Sequence, residues 1–222
     1  MDMKKNKNSV FWQALVVTII VFIIGIFLGI SYEGRKLEEI DDYYILSEIF
    51  LMDSFALSKL VDVENTSLAD CEFLIDKNIE FADKIYNEAY LLEKYEESGK
   101  LSESLKILHK KYDLMRTLLW INFRNIPDMC KKDVSVVIYL YEHETKDLAK
   151  KATNEVWEKV LFELKQEVQN RIILIPIAAD SNLTSLNLLL LKYDIQEYPV
   201  VIIDEHIIYQ IGSADNLKKH IK

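Results

Sequence analysis

Few side chains in this 222-residue chain can do covalent chemistry, and the first of them are its two cysteines, Cys71 and Cys130. Two thiols are too few for a disulfide framework or a zinc site, but they suffice for one bridge or one redox pair. The next candidate is His143, set between Glu142 and Glu144 with Thr145 beside it. That cluster could hold a metal or move a proton. No second ligand stands at a suitable spacing, however, so His143 reads as a solvated loop histidine and no metal is expected. Thr145 has no evident base to activate its hydroxyl. Near the C-terminus, Y-D-I-Q-E-Y-P-V-V-I-I-D-E-H-I-I-Y-Q-I-G places Tyr198-Pro199 directly before the β-branched run Val200 to Ile203. Proline removes a ladder donor, so here it opens a strand or marks an edge.

These residues must be carried by a folded chain. Half of the sequence is hydrophobic, enough for one large domain or two small ones. A net charge of -9 argues against nucleic acid as a partner. Only five glycines and three prolines occur, which leaves little room for flexible linkers.

The N-terminus bears on the compartment. Lys4, Lys5 and Lys7 precede F-W-Q-A-L-V-V-T-I-I-V-F-I-I-G-I-F-L-G-I, residues 11–30, which carries no charge. A helix of that length spans roughly 30 Å, the thickness of a hydrocarbon core. The following S-Y-E-G-R-K lacks a small-x-small cleavage pattern. Residues 11–31 are therefore expected to be a transmembrane signal anchor behind a cytoplasmic N-terminus, residues 1–10. Three lysines before the span, against Arg35 and Lys36 among five acidic residues after it, favour the N-terminus inside. The expected location is the cell membrane, single-pass, with the bulk of the chain extracytoplasmic. Gly25-x-x-x-Gly29 would let two spanning helices approach and dimerise. Asn65-Thr-Ser and Asn182-Leu-Thr fit glycosylation acceptors on the same outer side.

Residues 33–130 have helical spacing throughout. The segment L-E-E-I-D-D-Y-Y-I-L-S-E-I-F-L-M-D-S-F-A-L-S-K-L-V leaves only a narrow polar stripe, which predicts a helix packed on several sides. Ser67-Leu-Ala-Asp70 has capping-box spacing. Cys71, Ile75, Ile79, Ala82, Ile85 and Ala89 then recur at three and four residues until Ser98-Gly99 stops the helix. Leu101, Leu105, Leu108, Tyr112, Met115 and Leu119 mark a third helix, ended by Pro127. Short connections make an all-α three-helix bundle the natural packing. In a hairpin turning at Gly99, Cys71 and Cys130 fall at the same end, offset by roughly 4.5 Å or less along the axis. Outside the cytoplasm a structural disulfide is expected, worth roughly 3–4 kcal/mol for a loop of about 60 residues. Buried free thiols or a slow redox switch are the alternatives.

Residues 131–222 change character. D-V-S-V-V-I-Y-L-Y (133–141) reads as a buried strand, and Leu148, Ala152, Val156, Val160, Leu164 and Val168 space a helix. I-I-L-I-P-I-A-A (172–179) gives a second strand, parallel to the first through the crossover. A short apolar helix, two antiparallel strands joined at Asp204-Glu205-His206, and a last helix after Ser213 complete the order β-α-β-α-β-β-α.

That order, with K-Y-D-I-Q-E-Y-P-V-V-I-I at the helix-to-strand junction and Gly212 before the last helix, resembles the thioredoxin-like fold superfamily. The resemblance implies a cis peptide at Pro199, exposing backbone groups beside an active-site loop. It also implies a Cys-x-x-Cys centre at the start of the first helix. Here that place reads Y-L-Y-E-H-E-T-K-D-L, and no cysteine follows Cys130. Without a thiolate, thiol–disulfide exchange at this loop is excluded.

What the loop can still offer is a surface. Backbone donors and acceptors there can hold an extended peptide, with Tyr198, Pro199, Tyr141, His143 and Thr145 as contacts and Tyr139 nearby. The same tyrosines also fit ordinary core filling. The expected function is a membrane-anchored, non-catalytic thioredoxin-like protein that binds peptides or partner proteins and needs no cofactor. A divergent oxidoreductase using Cys71 and Cys130, and a structural subunit of a membrane complex, are the alternatives.

Overall fold

A computed structural model describes residues 7–63, 68–97, 103–124, 126, 130, 133–204 and 206–222. Lys4, Lys5, Asn65, Ser67, the Ser98-Gly99 turn, Leu101, Pro127 and Glu205 lie outside the described residues. Helix α1 covers Lys7–Val63. The chain divides into a unit Met1–Ile45 and a unit Leu46–Lys222.

In the first unit Phe11–Ser31 is 21 residues long, with none of its apolar window buried. Among the described residues it is the one helix long and apolar enough to cross a membrane. A side chain added at Gly25 or Gly29 would meet only open space.

The second unit is mixed α/β. After helices α2 (Leu68–Glu97) and α3 (Glu103–Phe123) come β1 (Ser135–Tyr141), α4 (Leu148–Val168) and β2 (Ile172–Ala178). Helix α5 (Thr184–Lys192), β3 (Val200–Ile203), β4 (His206–Ile208) and α6 (Ala214–Lys218) follow. The four strands lie in the order β2-β1-β3-β4. β1 runs parallel to β2, from Ser135 opposite Ile172 to Tyr141 opposite Ala178. It runs antiparallel to β3, from Val137 opposite Ile203 to Leu140 opposite Val200. The β3–β4 hairpin turns at Asp204, whose φ of 53° is a left-handed value that aspartate tolerates.

Strand β1 is apolar from Val136 to Tyr141 because it is central and both of its faces are covered; all seven residues, Ser135 included, are buried. By the pleat, Val137, Tyr139 and Tyr141 share one face with Val201 and Ile203. There they pack on Trp157, Leu161 and Leu164 of α4 and on Ala214 and Leu217 of α6.

Helices α2 and α3 do not form a free-standing bundle. They lie beside β2, the edge strand, and the expected boundary at 130–131 falls inside the compact unit Leu46–Lys222. The Ala178 backbone N–H on the outer flank of β2 donates to Asp113 Oδ1 of α3 at 3.1 Å. Two residues earlier on the same flank stands Pro176, which has no N–H to leave unpaired. A helix laid over an edge in this way shields the sheet from stray pairing.

The described side chains of α1 from Leu46 to Asp53 pack on one side only, not on several as the composition predicts. Ser47 and Leu51 are buried, and Phe50 stacks on Phe81 of α2 at 5.1 Å. Leu46, Ile49 and Met52 remain 53%, 60% and 53% exposed. The reason is that α2 contributes one partner face, while α3 is turned toward the sheet. Cys71 and Cys130 form a disulfide with Cα atoms 5.5 Å apart.

Candidate functional site

The loops at the C-terminal ends of β1 and β2 and the loop entering β3 meet at one end of the sheet. The first, Glu142–Asp147, is pinned from three sides. Asp180 in the β2–α5 loop accepts the backbone N–H of His143 at 3.0 Å and of Glu144 at 2.8 Å. Lys106 of α3 pairs with Glu144 at 3.0 Å, and Lys150 of α4 with Glu142 at 2.6 Å.

The loop ends in the cap of α4. Asp147 Oδ1 accepts from the backbone N–H of Ala149 at 2.8 Å and of Lys150 at 3.4 Å. The N–H of Asp147 in turn donates to Thr145 Oγ1 at 3.3 Å. The helix N-terminus, where a thiolate would be stabilised, is thus occupied by the chain's own carboxylate. Thr145 serves this cap and is half-buried.

His143 is not a solvated loop histidine. It is half-buried, its ring lies 4.4 Å from that of His109 on α3, and it meets Tyr141 edge-on at 6.4 Å. The correction follows from α3, whose docking on β2 covers the loop from the side.

Tyr198-Pro199 is cis, as the resemblance implies. Both residues are half-buried and lie one and two steps beyond the last β1–β3 pair, Leu140 with Val200. Burial pushes the Tyr198 hydroxyl pKa up, and the nearby charges of Glu142 and Asp180 and the Tyr209 hydroxyl push it the same way. Tyr198 therefore belongs to the same loop cluster as Glu142 and Asp180. Tyr141 and Tyr139 do not lie on an open surface. Both are buried and stacked at 5.2 Å, and the Tyr139 hydroxyl donates to the Asn154 carbonyl at 3.4 Å.

Beneath these loops runs a row that the apolar spacing of α3 hides. His109, Asp113 and Arg116 are all buried, on the side of α3 that faces β2. Asp113 Oδ1 holds the Ala178 N–H and lies 3.5 Å from Arg116 Nη1. Burial drives the Asp113 carboxyl pKa up, and Arg116 pulls the other way with less effect. The spacing i, i+4, i+7 puts the three on one helical stripe, a signal present in the sequence but interleaved with the leucine stripe.

Two cavities flank this row. One of about 160 Å³ is bounded by Lys106, His109, His143, Asp180 and Ser181. The other, about 640 Å³, opens between α2, α3, α4 and the tyrosine-bearing face of the sheet, with His109 and Arg116 in its wall. Among the described residues, no group of three or more His, Cys, Asp or Glu side chains is arranged to hold a metal. The cysteines lie elsewhere, at the start of α2 and shortly before β1, and are joined to each other. Compared with protein-family models, with curated proteins and with solved structures, the chain matches none.

Proposed function

We propose that residues 133–222 are a thioredoxin-like scaffold that has exchanged redox chemistry for binding, held at the outer face of a membrane by residues 11–31. The element order, the antiparallel β1–β3 pairing and the cis Tyr198-Pro199 bond support the scaffold. The observation that carries the functional reading is the occupant of the α4 N-terminus. Asp147 caps the backbone groups that a reactive thiolate would need, and no cysteine follows Cys130.

The remaining loop cluster suits an extended polypeptide, with Tyr198, Pro199, His143 and Thr145 as half-buried contacts. The small cavity beside His143 and Asp180 is sized for one side chain. The lysine bias across the span favours these loops outside the cytoplasm, and Gly25 and Gly29 are where two anchors would meet. Cys71 and Cys130, 5% and 3% exposed, are shielded from attack by a substrate thiolate.

The test uses the full chain in lipid nanodiscs with a fluorescent array of unstructured peptides. Saturable binding that drops several-fold in Tyr198→Ala and His143→Ala, with no reduction of a disulfide-bonded substrate, is the expected result. Absence of binding across the array, or disulfide turnover by the chain, overturns the reading.

A further inference from the structure

The larger cavity stands apart from that peptide surface; none of the four residues assigned to the peptide lines it. Its volume of about 640 Å³ falls in the range of small-molecule sites, roughly 300–1,000 Å³. Five aromatic rings stand in its walls: Tyr86 and Tyr90 come from α2, Tyr139 and Tyr141 from β1, and Phe162 from α4.

Among these walls lies one buried cation. Arg116 is 4% exposed, and its guanidinium carries five N–H donors in a fixed fork. Its ion-pair partner Asp113 stands 3.5 Å away and has also accepted the Ala178 N–H. Arg116 Nε is buried with no acceptor among the described residues. A buried donor in that state is costly, and an acceptor supplied by a ligand would relieve it.

The remaining charges narrow the ligand. Lys159, Glu155 and Glu158 of α4 border the cavity and are exposed, so water screens them. The buried charge is therefore Arg116 with Asp113 beside it. That single fork can engage one carboxylate and leave its body on the tyrosines, whereas the second charge of a phosphate or dicarboxylate would meet no second buried lysine or arginine among the residues lining the cavity.

We infer that this cavity binds a small organic monocarboxylate with an aromatic or aliphatic body, and that Arg116 recognises the carboxylate.

The experiment titrates the full chain in nanodiscs calorimetrically with 3-phenylpropionate and hexanoate, with their neutral amides, and with inorganic phosphate, using empty nanodiscs as the blank. Saturable binding of a carboxylate, about tenfold or more tighter than its amide, is expected because a charge-assisted bond to arginine is lost in the amide. Phosphate should not compete. Arg116→Gln should bind acid and amide alike. Should that variant fail to fold, Phe162→Ala replaces a half-exposed wall residue and should weaken both probes while preserving their ratio. Equal affinity for acid and amide in the unmodified chain overturns the inference. So does the absence of saturable binding by either acid, or binding indifferent to Phe162→Ala.

Discussion

Asp113 of α3 accepts the backbone N–H of Ala178 at the outer flank of β2, 3.1 Å away, and so joins a helix to a sheet edge through one buried carboxylate. The same carboxylate is the counter-ion of Arg116. Asp113→Asn keeps an acceptor for Ala178 and removes the charge. Arg116→Met instead leaves that carboxylate buried without its counter-ion, and in mildly alkaline buffer it should cost about 3 kcal/mol or more. Adding Asp113→Asn should recover most of the loss, since no charge is then buried alone. Urea unfolding of the native chain, the two single variants and the double variant measures this, and additive effects would contradict it.

Stability should also respond to acid in an unusual direction. Burial raises the Asp113 carboxyl pKa above its ordinary 3.8. It likewise raises that of Glu88 above 4.5, against the opposing pull of Ser47, Lys84 and Tyr112. For each group the folded state holds its proton more tightly than the unfolded state does. Their contribution is therefore fully present below those ordinary values and is lost as pH rises through the raised folded values. Glu88→Gln and Asp113→Asn should each flatten the fall in unfolding free energy above the ordinary carboxylate range. A pH series of denaturant midpoints reads the slope, and an unchanged slope in both variants would refute the assignment.

The disulfide closes a separation of 59 residues between Cys71 and Cys130. Replacing both with serine should lower stability by about 4 kcal/mol through the freed loop entropy. Reductant should bring the native chain to the same melting temperature as the variant, provided unfolding exposes the bond. Thermal melts with and without reductant compare the two.

The cap at the start of α4 gives a smaller effect. Asp147→Ala leaves the N–H groups of Ala149 and Lys150 without their acceptor and should cost about 1 kcal/mol. Hydrogen exchange should quicken in the first turn of α4 and stay unchanged in β1. Uniform quickening across the unit would point to a wider role.

The sequence carried the α/β half of the molecule well. Val136–Tyr141 and Ile172–Ala178 are apolar without alternation because both faces are covered, and the spacing from Leu148 to Val168 could only be a helix. The disulfide was legible because a hairpin converts sequence distance into height along an axis. The docking of α2 and α3 onto β2 was not. It depends on Asp113 meeting one backbone N–H that is 65 residues away in sequence, and no periodicity encodes such a contact. The misreading of His143 has the same origin, since the ring that covers it, His109, belongs to α3. The larger cavity was illegible too, because its walls come from α2, α3, β1, β2 and α4. The stripe His109, Asp113, Arg116 was present as charges spaced to share a helical side, but the leucine spacing of α3 hid it.

A four-stranded sheet ordinarily offers two flanks to an intruding strand. With one of them shut by α3 and by Pro176, a neighbour can add backbone bonds only alongside His206–Ile208, a run of three residues. If two copies pair there, each spends its last free border, and nothing remains on which a third could grow. Among the described strands, the geometry that shields β2 therefore leaves one border for strand-by-strand association and limits it to a pair.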